Sequence, residues 1–168
     1  MHPATLPEDA LLKDCEVIRG KASGPGGQHR NKVETHVEIR HKPSGITGQA
    51  GERRSQNENR KVALRRLRLN LAVGLREPVP RGEIRSEAWR RHADEGTGRV
   101  RCSDKSPDFP TLLAEALDVL ADSGWEPSEA GLRLGVTGTQ LMRLVGKYAP
   151  AHVVVNESRL QRGLRKLR

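Results

Sequence analysis

Gly26, Gly27 and Gln28, inside the stretch SGPGGQHRNK at 23–32, are the residues of this chain whose types and spacing point most directly to chemistry. Consecutive glycines reach backbone angles closed to other residues. They also remove side chains, so that another molecule can approach the main chain closely. Gln28 has no ionisable group and is a poor general base. Its amide can orient a water, and its backbone N–H can donate to a developing negative charge. An ordinary surface loop would use the same glycines, so the triplet alone leaves both readings open.

The flanking residues supply elements that would hold such a loop. Cys15–Arg19 is a strand candidate before it. After it, Val33, Thr35, Val37 and Ile39 alternate with Glu34, His36, Glu38 and Arg40, the period of a strand with one buried face. Lys42-Pro43-Ser44-Gly45 has proline at the second and glycine at the fourth position of a type I turn, and Ile46–Ala50 returns as the partner strand. Ser55 and Glu58 have the spacing of a capping box. Leu64, Leu67, Leu71 and Leu75 then keep to one helical face. Between Arg53 and Arg68 lie seven basic residues (Arg53, Arg54, Arg60, Lys61, Arg65, Arg66, Arg68) against one acidic, Glu58, a net +6. Such a run is either a solvated face or a phosphate-facing one.

These signals predict an α+β protein: a small mixed or antiparallel sheet carrying an exposed loop and packed on a basic helix, over residues 11–76. Residues 77–107, rich in Pro, Gly and charge, read as a linker with one short helix around Trp89. Residues 108–168 read as a helical C-terminal region. Within it, GLRLGVTGTQLMRLV at 131–145 reads as two short helices, with Gly135 ending the first and Thr137 or Thr139 capping the second. A helix-turn-helix and a plain tight helix pair share this pattern. Residues 157–168 carry five basic residues and one acidic, with Arg165, Lys166 and Arg168 at the end.

Composition narrows the partner. Thirty Lys plus Arg against 21 Asp plus Glu give a formal charge of +9, which suits a polyanion, nucleic acid first. Trp89, Phe109, Trp125 and Tyr148 are the whole aromatic set, too few for stacking platforms on single strands. The expected contacts are charge pairs to phosphates. Cys15 and Cys102 make neither a disulfide framework nor a zinc site, so no metal is expected and a reducing cytoplasm fits. No apolar run approaches the roughly 20 residues that span a bilayer. The opening residues, with acidic side chains and no basic-then-apolar order, do not read as a leader.

The stretch SGPGGQHRNK, the strand VETHVEIRH, the turn PSGI and the run RRSQNENRKVALRRL at 53–67 occur here in that order. Together they resemble the catalytic domain of class I peptide chain release factors and of their codon-independent relatives, the ribosome-rescue hydrolases. The resemblance covers roughly residues 15–76. It implies hydrolysis of the peptidyl-tRNA ester in the ribosomal peptidyl-transferase centre, with Gly26, Gly27 and Gln28 as the catalytic loop. It also implies that His29, Arg30, Asn31 and Lys32 line the tRNA end and rRNA, and that Arg53, Arg54, Ser55, Gln56 and Asn59 support the loop and touch rRNA. Ser55 and Asn59 are the expected loop supports. Arg53, Arg54, Gln56, Arg60, Lys61, Arg65, Arg66, Arg68, Arg165, Lys166 and Arg168 are the expected RNA contacts. No cofactor is expected, and the partner is the ribosome, met by a monomer.

Two departures qualify the resemblance. Many relatives have Thr or another small polar residue where this chain has Val33, which puts a local hydrogen bond in doubt. Only some fourteen residues precede the first strand, and nothing after it resembles a codon-reading segment, so the short rescue hydrolases are the expected branch. Those end in a flexible basic tail, whereas this chain has a helical region ending in RLQRGLRKLR. The rival readings are a non-catalytic rRNA-binding module, against which the intact Gly-Gly-Gln argues, and a helix-turn-helix DNA regulator, for which TGTQLMRLVG offers only Gln140 and Arg143 as base readers.

Overall fold

A computed structural model of the chain describes residues 1–20 and 35–167. Gly26, Gly27, Gln28, His29, Arg30, Asn31, Lys32 and Val33 lie outside the described residues, as does Arg168. The fold is α+β, as expected, and the chain divides into two compact units: residues 3–74 with Met1, and residues 75–168 with His2.

The first unit opens with a 3-10 turn at Pro3–Thr5 and helix α1 (Glu8–Lys13). Strands β1 (Cys15–Gly20), β2 (His36–His41) and β3 (Thr47–Ala50) form an antiparallel sheet in the order β1-β2-β3. Helix α2 (Gln56–Gly74) packs across β2 and β3. The alternation read from the sequence is clearest at residues 37–40, where Val37 and Ile39 are buried, Glu38 is partly buried and Arg40 is exposed; Thr35 and His36 are both partly buried. Their core partners from α2 are Ala63, Leu64, Leu67 and Leu71, all buried. Leu75, expected on the same face, lies beyond the helix end and is only partly buried. The β2–β3 turn closes with Gly45 N–H donating to His41 O (2.8 Å) and Gly45 at a left-handed φ of 71°. The His41 ring sits 2.8 Å from the Ser44 hydroxyl beneath that turn.

Gly48 sets how close the sheet and the helix come. A Cβ at this position would stand 2.2 Å from Leu67 N and 2.3 Å from Ala63 O, both main-chain atoms of α2. A glycine inside a strand marks such an approach of backbone to backbone.

Residues 77–107, read as a linker with one short helix around Trp89, carry that helix, α3 (Glu87–His92), and in addition a short hairpin of β4 (Ala93–Asp94) and β5 (Arg99–Val100). They belong to the same compact unit as the helices that follow. Trp89 is fully buried, and its indole N–H donates to Leu134 O (2.9 Å). Ser86 caps α3 by accepting from Trp89 N (3.0 Å), and Glu115 in turn accepts from the Ser86 N–H and hydroxyl (2.9 and 2.6 Å). Burial pushes the Glu115 carboxyl above its usual range, a cost these two bonds offset. The anchors come from residues 29 and 45 positions away, so local composition could not reveal them.

Helices α4 (Phe109–Asp122), α5 (Pro127–Arg133), α6 (Gly138–Val145) and α7 (Ala149–Gln161) complete this unit. Helix α4 is its core: Leu112, Leu113, Ala116, Leu117 and Leu120 are all fully buried. Asp118 on the same helix accepts from Glu77 N (3.1 Å), and burial pushes its carboxyl up to about 6. Gly135 ends α5 at φ 69°, and Thr137 caps α6 by accepting from Gln140 N (3.2 Å), so Thr137 and not Thr139 is the cap. The two helices touch through glycines. A Cβ on Gly131 would meet Val136 O at 2.7 Å and Gly138 N at 2.8 Å, and one on Gly138 would meet Pro127 O at 2.8 Å. That contact is the physical reason for glycine at position 131.

Candidate functional site

The described residues frame the Gly-Gly-Gln segment from both sides. Antiparallel register pairs Gly20, the last residue of β1, with His36, the first of β2. The sheet therefore brings together the two backbone positions that flank residues 21–34.

Asn59, on the first turns of α2, fixes one of these flanks. It is fully buried. Its Oδ1 accepts from Arg53 N (2.9 Å), and its Nδ2 donates to Thr35 O (2.6 Å) and Arg53 O (2.9 Å). Both amide protons are thereby used, and the side chain ties three elements: the helix start, the turn at Arg53, and Thr35, the first described residue after the segment. The Arg53-to-Asn59 spacing is local, but the bond to Thr35 spans 24 positions and carries no sequence signature. Ser55 accepts from Glu58 N (3.4 Å), while Asn59 N donates to Ser55 O (3.0 Å), so the expected cap is present in long form. Gln56 opens α2 partly buried.

Asn59 makes a sharp prediction. Asn59→Asp keeps the shape and the acceptor for Arg53 N but places carboxylate oxygen against two carbonyls. It should destabilise the protein by about 2–3 kcal/mol, at least as much as Asn59→Ala. Denaturant midpoints of the two variants decide it, and a neutral Asp substitution would show that this amide is not what holds Thr35 and Arg53 together.

The basic residues do not act as one surface. Arg53, Arg54 and Lys61 are exposed, and Arg65 is partly so. Arg60 pairs with Glu8 at 3.2 Å. Arg66 is held bidentately by Glu52 (2.7 and 3.2 Å) and also donates to Gln49 O (2.8 Å). Its exposed pair is weak and can exchange for a phosphate at little cost. The Arg68 guanidinium donates to Ala4 O (2.8 Å) and is half-buried, so it fastens the N-terminal turn to α2. In the second unit Arg165 and Lys166 are exposed, but the chain end is folded back on α7. Asn156 accepts from Leu167 N (2.7 Å) and donates to Leu167 O (3.2 Å), and Arg159 Nε donates to Arg165 O (2.9 Å).

Among the described residues no group of three or more His, Cys, Asp or Glu side chains is placed to hold a metal ion, and no helix is long and apolar enough to cross a membrane.

Comparison with known proteins bears on the first unit and extends past it. The profile of the family described as RF-1 domain matches residues 10–108. Peptide chain release factor 1 of Dictyoglomus thermophilum is 37% identical over 98 residues, which are 58% of this chain and 26% of that protein. Peptide chain release factor 1 of Caldicellulosiruptor saccharolyticus is 40% identical over 113 residues, 64% of this chain and 31% of that protein. Peptide chain release factor 2 of Buchnera aphidicola is 43% identical over 63 residues, 38% of this chain and 17% of that protein. The chain thus spans under a third of the length of each of these relatives.

Proposed function

This chain belongs to the RF-1 domain family, and from that premise we propose that it hydrolyses the ester bond of peptidyl-tRNA in the peptidyl-transferase centre of the ribosome. The observation that supports this reading most is the intact Gly26-Gly27-Gln28 triplet, with Asn59 tying its downstream flank at Thr35 to the basic turn at Arg53. In this reading the two glycines leave room for the tRNA end. The Gln28 backbone N–H stabilises the negative charge that develops on the ester oxygen, and its side-chain amide orients the attacking water. The leaving group is the ribose hydroxyl of the tRNA, and the products are free peptide and deacylated tRNA. His29, Arg30, Asn31 and Lys32 contact the tRNA end and rRNA. Arg53, Arg54, Lys61 and Arg65 meet rRNA phosphates, with Arg60 and Arg66 free to exchange their carboxylate partners for them. Arg165 and Lys166 add phosphate contacts from the second unit. Residues 11–76 form the catalytic domain, and the site of action is the cytoplasm.

The finer reading is a codon-independent one, rescue of stalled ribosomes. Its support is the helical stretch 109–168, basic over its last dozen residues, that follows the matched residues and does not resemble a codon-reading segment. Ribosomes carrying labelled peptidyl-tRNA and programmed with no codon, a sense codon or a stop codon in the decoding site test both levels. Comparable release in all three is the expected result. Release with a stop codon alone would keep the hydrolase and remove the rescue role; no release in any state would remove the hydrolase as well.

A further inference from the structure

In the second unit, β5 and the residues after it run alongside α6 and are fastened to it at both ends. Thr137 N, at the helix start, donates to Gly98 O (2.9 Å), and the Lys147 ammonium, just past the helix end, donates to Cys102 O. The lengths match: four steps of extended chain cover about 13 Å, and ten residues of helix about 15 Å. Gly98 permits the approach, since a Cβ there would stand 3.1 Å from Thr137 Cγ2 at an unfavourable φ of 61°.

Alternation along this segment sorts its side chains. Val100 and Cys102 are buried, at 7% and 3% exposure, and Arg99 and Arg101 face solvent. On α6, Leu141, Leu144 and Val145 face the core, whereas Thr139 and Arg143 face out beside Gly146, an exposed residue with no side chain to obstruct approach. One strand and the helix beside it therefore present Arg99, Arg101 and Arg143. Among the described residues none of the three guanidinium groups has an ion pair or hydrogen bond. The nearby acids are engaged elsewhere: Asp94 accepts from the Thr97 hydroxyl (2.7 Å) and Thr97 N (3.3 Å), and Glu95 pairs with Arg85. The Thr97 hydrogen bonds, with a smaller contribution from the Arg101 charge, hold the Asp94 carboxyl below its usual range.

We infer that this strand-and-helix face is a second nucleic-acid surface, and that it binds the sugar-phosphate backbone of double-helical RNA. Three unpaired arginines on a rigid scaffold fit phosphate oxygens, to which guanidinium donates in fork geometry. The exposed polar side chains of α6 are too few to read bases, and the deep, narrow major groove of A-form RNA would not admit the helix. Recognition is therefore by backbone and shape and is independent of sequence. The inference deepens the ribosomal reading and rests on it for the choice of RNA as the polyanion.

The test uses the full chain and an RNA duplex of arbitrary sequence, about two helical turns long, so its outcome does not depend on peptide release. Replacing Arg99, Arg101 and Arg143 together by Gln should weaken duplex binding about tenfold or more at moderate salt and lower the slope of log affinity against log salt by about 2–3. The corresponding Arg→Lys triple variant should keep most of the slope, which separates lost charge from lost fold. An unchanged slope in the Gln variant overturns the proposal. So does tighter binding to a single strand of the same composition, or equal displacement by an acidic polypeptide at the same charge. If the wild-type chain releases no peptide on ribosomes yet loses duplex affinity in the Gln variant, the hydrolase reading falls and this surface stands.

Discussion

Gln28→Pro should lower ribosome-dependent peptide release on the order of 10²–10³-fold below Gln28→Ala, the typical loss when one donor to a developing oxyanion is removed. The two substitutions separate the two functional groups of this residue. Alanine deletes the side-chain amide and leaves the backbone N–H; proline deletes both. If the main chain supplies the electrostatic stabilisation, alanine retains measurable turnover while proline does not. A side-chain-only mechanism predicts that both fall together. Proline also restricts the local backbone, so ribosome affinity must be measured alongside. Equal release by the two variants, with equal binding, would take the backbone N–H out of the mechanism. A proline variant that no longer binds would call for an ester replacement at the same peptide unit, which removes the N–H donor without introducing the proline ring.

The parts of this protein that were legible in its sequence are those governed by local rules. Val37 and Ile39 alternate because a strand has period two, and their burial follows once a helix covers one face. The same holds for the glycine-closed turn at Gly45, whereas the local pattern narrows the α6 cap only to Thr137 or Thr139, and the Gln140 N–H bond singles out Thr137. What was not legible depends on partners far along the chain. Trp89 reads as the centre of a short helix in a proline- and glycine-rich linker, yet it is core, its indole N–H bonded to a Leu134 carbonyl 45 residues later. Arg68 reads as one member of a basic run, yet Ala4, 64 residues earlier, takes its hydrogen bond. Charge counting marks a basic helix but cannot tell which of its arginines serve packing. The candidate site divides the same way. The Gly-Gly-Gln triplet stands out by residue type and spacing and gains its role from the family resemblance, whereas the tie from Asn59 to Thr35 requires the sheet to be folded.

Gly48→Ala should be the most destabilising single methyl addition in the first unit. The added carbon would lie 2.2 Å from Leu67 N, 2.3 Å from Ala63 O and 2.7 Å from Leu67 Cα. All three are helix main chain, so no rotamer change relieves the overlap. Restoring ordinary contact requires α2 to move away from β3 by more than about 1 Å, a gap that forfeits a quarter to a half of the dispersion well for the facing atoms. Leu64, Leu67 and Leu71 would all lose contact with Val37, Ile39 and Ala50 at once, because one helix carries them. The expected cost is about 3–5 kcal/mol, at the top of what one substitution does and a large share of a small domain's total stability. That corresponds to a fall in thermal midpoint of about 15 °C or more for a unit of this size. Gln49→Ala, one residue along the same strand with its side chain exposed, serves as the control and should change stability by less than about 0.5 kcal/mol. The consequence reaches the candidate site, because a displaced α2 carries Asn59 away from Thr35. Peptide release by Gly48→Ala should therefore drop even at temperatures where circular dichroism shows the helix intact. If calorimetry finds the alanine variant within about 1 kcal/mol of wild type, below the usual cost of overpacking a core, the sheet and helix are less closely apposed than the Gly48 contact requires, and the placement of Asn59 that depends on it loses its support.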